Sequence, residues 1–164
     1  MKYADGPTTE QQIDIRASPA EVWAIVSDPT FPVHQSTELQ EAAWDPDGPA
    51  PGLGARILGR NHHDRIGEWR TTSTIVEWSE GSICSWAVND PSDPAAQWWF
   101  EIEPIAEGVT LRQRVRIGPG RSGLSPAIER MPDREDEIVE NRLRFHEMNM
   151  QANLEAVKLR VEGR

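Results

Sequence analysis

The sequence predicts an α+β fold: a curved antiparallel β-sheet of about six to seven strands, with helices on one side and a long helix at the C-terminal end. Three observations carry this. The element order is a strand, short helices, a run of strands joined by tight turns, and finally about 30 residues with a helical period. The strands alternate apolar and polar residues, so each offers one face to an interior. The last helix, by contrast, carries a polar line where its apolar arc should be driest.

The elements follow in order. Residues 9–17, "TEQQIDIRA", set Gln11, Ile13, Ile15 and Ala17 against Gln12, Asp14 and Arg16, as a strand does. In "SPAEVWAIVSD", Ser18 is a good N-cap, Pro19 fits the first helical position and Glu21 completes a capping box. That helix ends near Asp28, and "TFPVHQ" supports only one further turn. Residues 37–44 read as a strand, and "DPDGPAPGLG" as a loop. A meander follows over 54–63, 66–79, 81–89, 95–104 and 107–117. "GPGRSGLSP" links it to a helix over about 132–161. At about 1.5 Å per residue that helix is roughly 45 Å long, enough to lie across a curved sheet.

Strand phase assigns the faces. Trp98, Phe100 and Ile102 share one side, and Trp99, Glu101 and Glu103 the other. Leu111, Gln113 and Val115 alternate with Arg112, Arg114 and Arg116, so acids and arginines of neighbouring strands can meet on a wet outer face. Cys84, Trp86 and Val88 point inward, as do Ile57, Gly59, Asn61 and His63. Strand 66–79 is ambiguous. Trp69, Thr71, Ser73 and Ile75 share a face that Val76 and Trp78 do not.

On the long helix, Glu140, Arg144, Glu147, Gln151, Glu155 and Lys158 form a wet face. Val139, Leu143, Met150, Leu154 and Val157 flank one side of the opposite arc; Ile138, Phe145, Ala152, Ala156 and Leu159 flank the other. Between them run Arg142, His146, Asn149 and Asn153. Unpaired polar groups in a dry core cost a few kcal/mol each. Asn61 and Gln113 on the sheet add to the number, so an internal cavity holding water or a polar-tipped ligand is expected. The alternative is that these groups pair with one another.

Composition narrows the function. The chain has 164 residues and a net charge of −10, which argues against nucleic acid and anionic membranes as partners. No apolar run approaches the ~20 residues of a membrane span, and the N-terminus lacks the apolar core of a secretory signal. A single cysteine, Cys84, allows no internal disulfide, and a cytoplasmic location is expected. Seven tryptophans against three phenylalanines and one tyrosine suit a protein that surrounds something flat and apolar, or one with a tryptophan-rich core.

"IDIRASPAEVWAIVSDPTFPVHQS" resembles the opening of the START/Bet v1-like (SRPBCC) superfamily, in its polyketide cyclase/dehydrase-like branch. "EWRTTSTIVEWSEGSICSWAV" and "GVTLRQRVRIGPGRSGL" are similar to that branch's mid-sheet and last strands. The resemblance covers about residues 9–162 of a single domain. It implies a helix-grip fold with a hydrophobic pocket between sheet and helix. It also implies a polyketide cyclase or dehydratase on one side, and a non-catalytic lipid or small-ligand carrier or sensor on the other. Aromatase/cyclases often place an arginine and hydroxyl or imidazole groups in the pocket, and Arg142 and His146 match in kind. The chain departs in its tyrosines, because Tyr3 is terminal and the pocket has none.

The candidate site follows. The unperturbed pKa of His146 lies near neutrality, which suits proton abstraction beside a carbonyl. Arg142, one turn away, could polarise that carbonyl or stabilise an enolate. Together they are the expected catalytic pair. The rival reading is a histidine fixed in a binding pocket that does no chemistry. Asn61, Asn149, Asn153 and Gln113 are expected to orient a ligand, and Trp69, Trp86, Trp98 and Phe100 to cover its apolar body. The expected partner is a hydrophobic small molecule, and the expected assembly a monomer or homodimer. If Arg142 pairs instead with a protein acid, Glu41 and Glu68 are the nearest candidates. "NHHDR" places His62 and His63 on opposite strand faces, which makes them poor joint metal ligands. A zinc site from His34, His63 and His146 would need long-range convergence, and neither a metal nor a cofactor is expected. "PGLG" and "GPGRSG" lack the context of a phosphate loop and read as linkers; Cys84 packs.

Overall fold

Residues 1–163 are described by a computed structural model. Seven antiparallel strands form one open sheet in the order β1-β7-β6-β5-β4-β3-β2. The strands are β1 (Thr8–Ile15), β2 (Leu39–Trp44), β3 (Arg56–His63), β4 (Gly67–Ser79), β5 (Ile83–Val88), β6 (Ala96–Ile105) and β7 (Gly108–Ile117). Helix α1 (Pro19–Val26) and a one-turn 3-10 helix (Phe31–His34) carry the chain from β1 to β2. After β7 come a short α2 (Ser125–Arg130), a 3-10 turn (Pro132–Arg134) and the long α3 (Glu135–Glu162). This is the helix-grip fold.

Local chemistry accounts for the elements. The α1 capping box forms as its residues predict: Ser18 Oγ accepts the Glu21 N–H, and Glu21 Oε2 accepts the Ser18 N–H. Alternation holds along β6 and β7. Trp98 sits opposite Val115 and Phe100 opposite Gln113, while on the outer face Arg114 lies over the Trp99 ring at 4.3 Å and pairs with Glu101 at 3.2 Å. The ambiguity in β4 has a cause. The register with β5 shifts between Ile75 and Glu77, so Val76 is an extra residue and Trp78 returns to the inner side, opposite Cys84.

Two expectations need correction. The long helix begins at Glu135, not 132, because Pro132–Arg134 takes the tighter 3-10 turn; the linker before it also contains α2, a helix too short to leave a periodic signal. Leu159 does not flank a buried arc. It is 74% exposed, because in the last turns only the side bearing Leu154, Val157 and Val161 faces the core.

The dry core explains where the interior space lies. Leu154, Val157 and Val161 of α3 pack with Ile15, Val109 and Leu111 from β1 and β7. The helix makes most of its sheet contacts with β1. The C-terminal half of α3 thus seals one end of the sheet. A second cluster, built on Ala55, Ile75 and Cys84, is closed by Trp23, Trp44 and Trp78, with the Trp23 and Trp78 rings edge-to-face at 4.9 Å. Between the two clusters the concave face is left open toward the first half of α3.

Candidate functional site: an interior cavity under the long helix

A cavity of about 420 Å³ lies between the concave face of β2–β7 and the stretch of α3 from Arg142 to Asn153. Helical period alone puts Arg142, His146, Asn149 and Asn153 on its wall. The sheet contributes Asn61, Trp69, Trp86, Trp98, Phe100 and Gln113. All ten residues read from the sequence as candidates therefore line one space. The segment before β2 adds Asp28, Pro32 and Glu38, and the loop after β7 adds Arg121 and Leu124.

One wall is aromatic. Trp86 and Trp98 are cross-strand partners in β5 and β6, with rings stacked 11° from parallel and centroids 6.4 Å apart. Phe100 lies beside Trp86 at 5.9 Å and is buried. His146 reaches from α3 to meet the Trp98 ring edge-to-face at 4.9 Å. No described residue hydrogen-bonds its imidazole. Burial, and then the positive charge of Arg142, hold His146 well below its ordinary value of 6.5. The side chain is a neutral, apolar-faced group at neutral pH.

The guanidinium of Arg142 is already engaged. Its Nη1 and Nη2 donate to Glu38 Oε2 and Oε1, each at 2.6 Å, with both side chains largely buried. The protein acid is Glu38, not Glu41 or Glu68. Glu41 pairs with Arg60 on the outer face, and Glu68 also lies near Arg60. Glu38 escaped the sequence reading, which put it inside a strand over 37–44; β2 begins only at Leu39 and its register shifts between Leu39 and Glu41, so alternation there assigns Glu38 no face. The signal that could have found it is Ser36, which accepts the N–H groups of Glu38 and Leu39 at 3.0 and 2.8 Å and fixes the carboxylate's approach. Asn149 braces the same segment: its Oδ1 accepts the Thr37 N–H at 3.2 Å, and its Nδ2 donates to the Phe145 carbonyl. Although Asn149 lines the cavity, its amide is occupied by the scaffold.

The other polar wall groups differ. Asn153 Nδ2 donates to Gln113 Oε1 at 3.2 Å, joining α3 to β7. Asn61, 8% exposed, has no side-chain hydrogen bond to a described residue. His63 is the last residue of β3, its ring edge-to-face with Phe145 at 5.2 Å and its Nδ1 accepting the Arg65 N–H. His62 is exposed on the opposite face. Among the described residues no group of three or more His, Cys, Asp or Glu could hold a metal ion. Burial pushes the Cys84 thiol up to about 12, so it packs as a small apolar group. Among the described residues no helix is long and apolar enough to cross a membrane.

A solution structure of a Polyketide_cyc-like protein from Corynebacterium glutamicum is 27% identical, covering 94% of this chain and 91% of its own, with a TM-score of 0.68. The di-domain ARO/CYC BexL of the BE-7585A biosynthetic pathway superposes at a TM-score of 0.69 with 13% identity; it covers 93% of this chain, which spans 48% of BexL. Ara h 8.0201 superposes at 0.57 with 12% identity over 92% of this chain and 97% of its own. The last two likenesses show the fold alone. A comparison with curated proteins found no match. The family model described as "Polyketide cyclase / dehydrase and lipid transport" matches residues 7–162, nearly the whole chain, and this protein belongs to that family.

Proposed function

We propose that the protein binds a hydrophobic small molecule, of polyketide, sterol or lipid, or aromatic type, in the cavity under α3. The observation that carries this is the cavity itself. Its volume of about 420 Å³ falls in the range of small-molecule sites, and its walls combine an aromatic surface with a few polar tips. The family description supports the same class of ligand.

Carrying or sensing a ligand suits this wall better than aldol chemistry. A base with a depressed pKa accepts a proton reluctantly, and Arg142 gives its charge to Glu38 rather than to an enolate. The cyclase/dehydratase reading rests on one observation, the neutral imidazole of His146 on the cavity wall. Native mass spectrometry of the purified protein tests the first reading: an apolar compound that co-purifies and is released with unchanged mass is expected. A protein that carries nothing, and whose melting temperature no apolar compound shifts, overturns it. Turnover of a poly-β-keto chain that is lost in His146→Ala while binding persists would establish the enzyme instead.

A further inference from the structure

The amide pair on the cavity wall is incompletely satisfied. Gln113 and Asn153 are 2% and 5% exposed, and both line the cavity. The single bond between them leaves Asn153 Oδ1 without a partner. Gln113 Nε2 likewise donates to no described residue. The result is one free acceptor beside one free donor. Exchanging oxygen and nitrogen in both amides would reverse which residue supplies which group and leave the same offer. A buried amide carbonyl without a partner is costly, so such an arrangement points to a group that arrives with the ligand.

The surroundings limit that group. Both wall arginines are engaged, Arg142 by Glu38 and Arg121 by Glu129, and His146 is held neutral. A carboxylate would bring no donor for the free carbonyl and would find no free cation. A hydroxyl donates and accepts through one oxygen. Gln113 is also the cross-strand partner of Phe100, at the end of the aromatic wall, so a ring lying on that wall places its own substituent near the pair. We infer that Gln113 and Asn153 are the specificity-determining subsite of the cavity and select a neutral ligand carrying a ring hydroxyl, a phenol or enol, over an apolar or an anionic one. This rests on the ligand-binding reading above.

The test is equilibrium dialysis near neutral pH with three probes of one shape: 2-naphthol, 2-methylnaphthalene and 2-naphthoate. The quantity read is the ratio of the methylnaphthalene Kd to the naphthol Kd. In Asn153→Leu and in Gln113→Met this ratio falls at least about tenfold, while methylnaphthalene still binds, because a bond is lost and the cavity is not. 2-Naphthoate binds the wild type at least about tenfold more weakly than 2-naphthol. A smaller change of ratio in both variants, or naphthoate binding as tight as naphthol, overturns the subsite. If a variant fails to fold, 2-methoxynaphthalene on the wild type decides. It accepts but cannot donate, and is expected to bind at least about tenfold more weakly than 2-naphthol; equal binding overturns the proposal. If neither naphthol nor methylnaphthalene binds the wild type, the ligand-binding reading itself fails.

Discussion

Two side chains on α3 set the behaviour of the cavity wall, and each carries a measurable consequence. Arg142→Leu leaves Glu38 buried and unpaired, so the variant should lose about 3–5 kcal/mol in urea unfolding. Adding Glu38→Gln should restore most of that loss. Were Arg142 free to meet a ligand, the same substitution would leave stability level or raise it. His146 makes stability depend on pH. Its folded pKa lies below 6.5, so between the two values the unfolded chain holds a proton that the folded chain does not. The contribution is therefore fully present above 6.5 and is lost as pH falls, by at most about 1.4 kcal/mol per pH unit. The urea midpoint of His146→Gln, measured against wild type from about pH 7.5 down to 5.5, should lack this component. The four polar positions on α3 were legible because a 3.6-residue period fixes their direction without knowledge of the fold. The partner of Arg142 was not, because it comes from an irregular segment 104 positions away.

At the scale of elements, legibility followed the strength of the local signal. α1 announced itself through a reciprocal cap that needs no tertiary context. Ser18→Ala should cost about 1 kcal/mol, read as a lower urea midpoint with an unchanged slope. The faces of β6 and β7 were legible for the same reason, since a two-residue alternation ran unbroken to the outer arginines. β4 was not, because one inserted residue at the bulge changes the phase halfway along the strand and no residue type marks it. α2 was hidden in a glycine- and proline-rich linker that reads as loop. The two halves of α3 explain its polar stripe. The inner face of the helix carries its polar residues along the cavity, from Arg142 to Asn153, and is apolar at Leu154, Val157 and Val161, where it packs on Ile15, Val109 and Leu111.

On the scale of the whole molecule, binding should appear as stabilisation. An apolar ligand at about 100 times its Kd should add about 2.7 kcal/mol, seen as a raised melting temperature that depends on ligand concentration. The seven-stranded sheet and the gripping helix were legible together, since element order, turn spacing and face alternation agree. The volume between them was legible only as an excess of inward polar groups. The order of those elements also sets a sequence in time. α3 follows all seven described strands, yet it closes the cavity and packs chiefly on β1. At ribosomal speeds of about 5–20 residues per second, its 28 residues take roughly one to six seconds to synthesise. Through that interval the concave face, with its tryptophans, has no cover of its own. A nascent chain at this stage is a client for a holdase, and a fragment ending at Arg134 should bind an apolar dye strongly and precipitate where the full chain does neither.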